Sequence, residues 1–330
     1  QVTVMEGEFA KHGVKSTAGH LSGVSETELN YGRRRTLAPD RRLSCQARIQ
    51  GDLVIDVPAS SQVHRQVVRK AADEREITLN PVVRLHYVEV AEPDMHNPAS
   101  DLQRLCIALE REWQLTNLDC DLSLLHTLQA QLRKGQWAVT VAVHANRDII
   151  AVWPGLHERA FGLAVDVGST TIAMHLCDLL TGNVLATSGA MNPQIRFGED
   201  LMSRVSYSMM NPEGAQQMTA AVRLALNELI AQVAKEAAVL GAEILEAAIV
   251  GNPIMHHLLL GIDPVELGGA PFALCTDGSV TVKASQLDLK MNPNARIYVL
   301  PCIAGHVGAD TAGVILAERP DLRTELTLLV

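Results

Sequence analysis

Apolar positions recur with two periods along this chain, and the places where one gives way to the other divide it. Residues 1–4 alternate as a strand already under way at the first residue. Ser25-Glu26-Thr27-Glu28 has the spacing of a capping box, the serine bonding forward and the second glutamate bonding back, and opens a short helix. Pro39 closes that segment, and 45–49 and 53–57 flank Gln50-Gly51-Asp52 as the arms of a hairpin. Pro58-Ala59-Ser60-Ser61 breaks the pattern, and a charged polar stretch follows to Ile77.

From residue 79 the periods alternate. Val83, Leu85 and Tyr87 predict a strand. Leu102, Leu105, Cys106, Leu109 and Trp113 fall at helical spacing behind the start signal Pro98-Ala99-Ser100. Leu124, Leu125, Leu128 and Leu132 predict one face of a second helix stopped by Gly135, and 137–143 and 149–153 a returning pair of strands. Beyond Phe161 the order is three strands (161–167, 172–180, 184–190), a long amphipathic helix over 214–240, then strand 247–251, helix 254–260, strand 297–301 and helix 309–317. The chain therefore reads as α/β and multidomain: 1–57, a linker over 58–78, a small α+β unit over 79–156, and a larger α/β unit over 157–330. The apolar run 326–330 predicts one further strand, and with an N-terminus that is not Met both ends read as cuts through a longer protein.

Composition narrows the function classes. The chain has 330 residues and a formal net charge of −9, which disfavours a general nucleic-acid binder because counterion displacement needs a positive surface. No apolar run approaches the roughly 20 residues of a membrane-spanning helix, and no secretory signal is present. Six cysteines scattered without a CxxC pair suit reduced thiols and a cytoplasmic setting.

The candidate chemistry concentrates at Asp166-Val167-Gly168-Ser169-Thr170-Thr171, a tight turn between two predicted strands. An aspartate ending the first strand suits a hydrated Mg²⁺, which prefers oxygen and keeps its waters. Gly168 permits close backbone approach to a phosphate, with Ser169, Thr170 and Thr171 supplying amides and hydroxyls. The plainer reading is a hairpin with small polar turn residues, and the strand-helix order that follows favours the phosphate reading. Asn252 and Asp310, each between a strand and a helix, are further candidates near the same cleft. His256-His257 lacks a third metal ligand at hand and reads as a helix-surface pair. Arg33-Arg34-Arg35 with Arg41-Arg42 reads as a solvated basic face, or one that steadies an anionic group near Cys45. Cys45 by itself reads as a buried free thiol.

The turn and the order of elements after it resemble the first subdomain of the actin, hexokinase and acetate-kinase superfamily (a ribonuclease H-like fold). Longer segments make the resemblance narrower: Asp166 to Thr171, Asn192-Pro193-Gln194-Ile195-Arg196-Phe197-Gly198-Glu199-Asp200, the run 250–261 from Val-Gly-Asn-Pro to Leu-Gly, and Ala304-Gly305-His306-Val307-Gly308-Ala309-Asp310-Thr311. Together they are similar to the reductive activators of corrinoid-dependent enzymes. That resemblance implies a remnant of a plant-type [2Fe-2S] ferredoxin β-grasp domain at 1–57, a middle domain, and half of an actin-like ATPase domain. It implies Asp166 for Mg²⁺ and Gly168, Ser169, Thr170 and Thr171 for the phosphates of ATP. Cys45, within Arg41-Arg42-Leu43-Ser44-Cys45-Gln46-Ala47, becomes the fourth ligand of the cluster, its other three thiolates lying upstream of Gln1.

The function so implied is ATP-dependent reduction of Co(II) to Co(I) in the corrinoid protein of a methyltransferase system, with electrons from a low-potential donor passing through the cluster. Such an activator would work as the intact protein, and the 330 residues alone would bind ATP weakly. A small-molecule kinase of the same fold and a nucleotide-gated binding module without turnover are the rival readings.

Overall fold

The computed structural model describes residues 1–10, 13–34, 37, 38, 40–57, 78–96, 98–322 and 324; the stretch 58–77 and the expected strand at 326–330 lie outside the described residues. The chain divides into two compact units, Gln1–Gln66 and Val67–Val330.

In the first unit, strand β1 (Val2–Val4) is central. It pairs antiparallel with Arg41–Arg42 (β4) on one side and with Ile55–Asp56 (β5) on the other. Gly7–Phe9 (β2) and Val14–Ser16 (β3) form a separate antiparallel pair. Helix α1 (Glu26–Arg34) opens with the expected capping box: Ser25 N–H donates to Glu28 Oε2 at 2.9 Å and Glu28 N–H to Ser25 Oγ at 3.2 Å. Glu28 is buried, and its carboxylate also takes Arg42 Nη2 at 2.9 Å and the Leu43 amide at 3.0 Å. The Arg42 hydrogen bond, ahead of the amide bonds, holds that carboxyl down at about 2.

Two expectations for this unit are corrected. Arg42 is not part of a solvated basic face, because Glu28 and the carbonyls of Ser22 and Gly23 enclose its guanidinium. The hairpin about Gln50-Gly51-Asp52 does not form: residues 44–46 are a turn, Ile49 bridges to Leu21, and only Ile55–Asp56 joins a ladder. The distant strand β1 takes the pairing, while Gln50 N–H and Asp52 O are tied to His20.

The second unit holds two sheets. The smaller has the order β6-β8-β9-β7, from Val83–Glu89 (β6), Asp119–Cys120 (β7), Ala138–His144 (β8) and Asp148–Pro154 (β9). Helices α2 (Asp101–Trp113) and α3 (Leu122–Lys134) cover one face, with Leu105, Leu109, Leu128 and Leu132 against Val139, Val141 and Val143. Ser100 caps α2 through its side chain, and Gly135 ends α3. Leu125 is 40% exposed, off the buried stripe of Leu124, Leu128 and Leu132. In β6 the buried residues are Val83, His86 and Val88, not a Val83-Leu85-Tyr87 face. This sheet is covered on both sides, since Val83, Ala142 and Ile150 pack with Leu245 of the larger sheet, so simple alternation does not describe it.

The larger sheet has the order β12-β11-β10-β13-β15-β14. Its strands are Phe161–Val167 (β10), Thr171–Asp178 (β11), Val184–Met191 (β12), Ile244–Gly251 (β13), Val280–Lys283 (β14) and Arg296–Val299 (β15). Strands β10, β13 and β15 run parallel, whereas β11, β12 and β14 are antiparallel to their neighbours. Helices α4 (Leu201–Met210), α5 (Gly214–Glu236) and α6 (Pro253–Leu260) pack on one face, with Val205, Met218, Leu229 and Leu258 against Leu163, Val165, Ile172 and Ile249. On the other face α7 (Ala309–Glu318) meets β13, where Gly313 leaves room for Val250. Helix α4 and edge strand β14 were not expected, and α5 ends at Glu236, leaving Leu240 exposed beyond it.

The two sheets are joined by polar contacts as well as by the Leu245 cluster. Arg296 Nη2 meets Asp148 Oδ2 at 2.7 Å, Lys283 pairs with Asp121, and Ser123 Oγ donates to Asn294 Oδ1 at 2.8 Å. Among the described residues no helix is long and apolar enough to cross a membrane.

The histidine pair is also corrected. Helix α6 is buried on every side, and His256 and His257 are 2% and 1% exposed, so they are not a surface pair. A short helix apolar all round belongs in a core, and its two histidines go with it. The Cys275 amide donates to His257 Nε2 at 3.0 Å, leaving Nδ1 as the protonated nitrogen that donates to Pro253 O at 2.8 Å.

Burial on the sheet also perturbs Glu246 of β13, whose carboxyl is raised from 4.5 to about 7. Arg296, opposite it on β15, is engaged by Asp148. A folded value above the unfolded one means stability that is full below about 4.5 and lost as pH rises through 7. Glu246→Gln is therefore expected to be nearly neutral at pH 4.5 and to stabilise by about 3 kcal/mol at pH 8. Urea melts of both proteins at the two pH values check this, and an equal effect at both would refute it.

Candidate phosphate-binding site

Three parallel strands, β10, β13 and β15, end on one edge of the larger sheet, and the turns that leave them meet there. Open α/β sheets bind ligands outside the carboxyl ends of their parallel strands, where backbone amides are unpaired. Val167 is in register with Gly251. The contacts are too close for side chains: a Cβ on Gly251 would sit 2.9 Å from Val167 O, and one on Gly308 only 2.6 Å from Asn252 Cα. Residues 166–171, 251–253 and 308–310 are thereby brought together, as the sequence led one to expect of Asp166, Asn252 and Asp310.

The turn 168–171 has all four of its carbonyls occupied. Gly168 O accepts Asn192 Nδ2 at 2.8 Å, and Ser169 O accepts Arg204 Nη2 at 2.5 Å. Thr170 O accepts the Asn192 amide at 2.8 Å, and Thr171 O accepts the Gly168 amide at 3.0 Å. A side chain at Gly168 would lie 2.6 Å from Thr171 O, so only glycine closes the turn this way. The amides of Ser169 and Thr170, and the hydroxyls of Ser169, Thr170 and Thr171, have no hydrogen-bond partner among the described residues. With carbonyls held by the protein and donors left over, the turn is polarised toward an anion.

Two buried side chains behind the turn do the holding. Asn192 is 1% exposed, and its Oδ1 also accepts the Gln194 amide at 2.9 Å while Nδ2 reaches Gln194 Oε1 at 3.1 Å. Gln194, fully buried, passes the chain of bonds to Met218 O in α5 at 3.0 Å. Arg204 of α4 is 0% exposed; Nε donates to Gly198 O at 3.1 Å and Nη1 to Met255 Sδ at 3.2 Å. Gly198 is required there, since a Cβ would be 2.8 Å from Arg204 N. Burial lowers the affinity of Arg204 for its proton, partly offset by Asp200 one turn earlier.

The remaining predicted residues take different parts. Asp166 ends β10 half-buried, on the face opposite α5, since Leu163, Val165 and Val167 fill the α5 core. Asn252 is the N-cap of α6, its Oδ1 accepting the amides of Ile254 and Met255 at 3.1 and 3.0 Å, which is a structural duty. Asp310 lies in the first turn of α7 and accepts the Thr311 amide at 2.8 Å. Cys45 is exposed, on a turn of the first unit, and is not a buried thiol.

Residues 161–322 match the RACo middle region, and residues 72–159 match the RACo linker region. The two matched regions thus take in both sheets of the second unit, and the turn 168–171 lies near the start of the second of them. The chain is 28% identical over 292 residues to the corrinoid activation enzyme RamQ of Eubacterium limosum, covering 87% of this chain and 48% of that protein. It is also similar to the solved structure of a reductive activator for a corrinoid, iron-sulfur protein, at 30% identity and a TM-score of 0.70, over 99% of this chain and 52% of that one. The chain thus spans about half the length of these relatives.

Arg204 is the residue behind the turn that the sequence analysis did not single out. The available signal was its place in the stripe Leu201-Arg204-Val205-Ser208, where a charged residue occupies a core position of an amphipathic helix.

Proposed function

We propose that this chain supplies one phosphate-gripping half of a Mg-ATP site in an ATP-dependent reductive activator of a corrinoid protein. The observation that carries the reading is the polarised turn, with three carbonyls held from behind, the fourth closed within the turn, and its free donors at the meeting point of β10, β13 and β15. The RACo regions and the two relatives named for corrinoid activation support the choice of reaction. In this reading Ser169, Thr170 and Thr171 donate to phosphate oxygens, Gly168 lets them approach, and Asp166 holds the waters of Mg²⁺. Asp310 and the amides beginning α7 border the same space. Mg-ATP brings charge to the site, and its differential affinity for two conformations is what can drive an uphill reduction.

A [2Fe-2S] cluster needs four thiolates, and among the described residues no group of three or more His, Cys, Asp or Glu side chains is placed to hold a metal. Cys45, exposed on its turn, fits a single ligand, and the residues in hand do not make the cluster site. In this proposal the other thiolates, like the second half of the nucleotide site, come from beyond these 330 residues. The partner would be the corrinoid protein of a methyltransferase system, and the electron source a low-potential donor.

The test is Mg-ATP binding and corrinoid reduction by the intact protein, wild type and Gly168→Val. The expected result is that reduction requires ATP and that the valine, which has no space against Thr171 O, lowers ATP affinity at least a hundredfold. Corrinoid reduction that is equally fast without ATP would remove the coupling. Phosphoryl transfer to an added hydroxyl compound would point instead to a small-molecule kinase.

A further inference from the structure

Arg204 is a fully buried guanidinium whose hydrogen bonds go to two carbonyls and a thioether, and no carboxylate pairs with it among the described residues. A charge in that position is expensive to bury and is ordinarily compensated. Asp200, the acid whose charge acts on it, is spent on capping α4, accepting the Ser203 amide at 2.7 Å. The arginine reaches the turn through Ser169 O, one residue from the free amide of Thr170. Met255, the first turn of α6, lies within reach of both holders of the turn: Arg204 at 3.2 Å and Asn192 at 3.5 Å.

We infer that Arg204 is a positioning residue whose unpaired charge prepares the turn for a polyphosphate and is neutralised by it. This rests on the nucleotide reading above and adds a residue and a ligand class to it: the counter-charge that the protein withholds is provided by the phosphates. A guanidinium is suited to the task because its planar fork holds Ser169 O and Gly198 O at once while keeping its charge. The ligand's phosphates need not touch it. The charge acts through a few ångströms of protein, where screening by water and salt is weak.

The consequence is an opposition between stability and affinity. Removing a buried, unpaired charge relieves the ligand-free protein even as it weakens the site, whereas a purely structural arginine would lower both. The intact protein is compared as wild type, Arg204→Met and Arg204→Lys, measuring ligand-free melting and the Kd of Mg-ATP, with adenosine as the uncharged probe. Arg204→Met is expected to melt within a few degrees of wild type or above it, to bind Mg-ATP at least thirtyfold more weakly, and to bind adenosine unchanged. Arg204→Lys, which restores charge without the fork, is expected to recover most of the Mg-ATP affinity. If Arg204→Met fails to fold, the lysine variant decides: a folded Arg204→Lys that binds Mg-ATP as weakly as adenosine overturns the inference. So does a folded methionine variant with wild-type Mg-ATP affinity. If in that case Gly168→Val still abolishes binding, the phosphate site stands and only the role of Arg204 falls; wild type that does not bind Mg-ATP removes both.

Discussion

Asn192→Ala is expected to lower the stability of the second unit by about 3 kcal/mol and to weaken Mg-ATP binding more than tenfold. The side chain is 1% exposed and serves four groups, donating to Gly168 O, Gln194 Oε1 and Met255 Sδ and accepting from the Gln194 amide. Alanine leaves each of them without that partner in a place water does not reach, and an unsatisfied buried polar group costs roughly 1–3 kcal/mol. The Asn192 amide still holds Thr170 O, so the turn survives in part, but Gly168 O is released and the turn loses its polarisation. Urea denaturation and ATP titration of the same protein check the two halves. A loss of stability with unchanged affinity would show that Asn192 supports the core and not the turn.

Acidification supplies the other large effect. His256 is buried, both its ring nitrogens lack a hydrogen-bond partner among the described residues, and its pKa is pushed down from 6.5 to about 4, first by burial and then by the neighbouring His257. A folded value below the unfolded one means that the unfolded chain binds the proton more readily. The stability is therefore complete above 6.5 and is lost as pH falls toward 4, and the gap between these values corresponds to about 3 kcal/mol. His86, His144 and His257 are shifted in the same direction by burial. Glu246 works the opposite way between 4.5 and 7, so the four histidines together outweigh it. His256→Leu is expected to hold most of its neutral-pH stability down to pH 4.5, where wild type has lost about 2.5 kcal/mol through this residue alone. Equal acid sensitivity in the two proteins would sink the assignment.

Much of the architecture was legible from local pattern. The capping box at Ser25 and Glu28, helices α2 and α3 with their Ser100 and Gly135 ends, and strands β10 to β12 about the glycine turn follow from spacing and turn chemistry that operate within a few residues. The turn at Gly168 to Thr171 was legible for the same reason, since a glycine between two strands supplies the backbone freedom a tight turn needs. Elements defined by distant partners were not legible. Strand β14 exists because β15 offers an edge, and the hairpin expected near Gln50 gave way to β1, which lies almost fifty residues earlier. The histidines of α6 looked like surface residues because nothing nearby says that both faces of so short a helix are covered.

What the sequence determined by itself, then, is most of the order of the elements and the place of the glycine turn, because both depend on short-range periodicity and backbone freedom. Only the tertiary structure decided which way that turn is polarised. Two of its carbonyls, Gly168 O and Ser169 O, are held by the side chains of Asn192 and Arg204, 24 and 35 residues away along the chain from the groups they hold. A hydrogen bond across such a separation is set by how α4, α6 and the sheet pack, and packing has no signature in a local pattern.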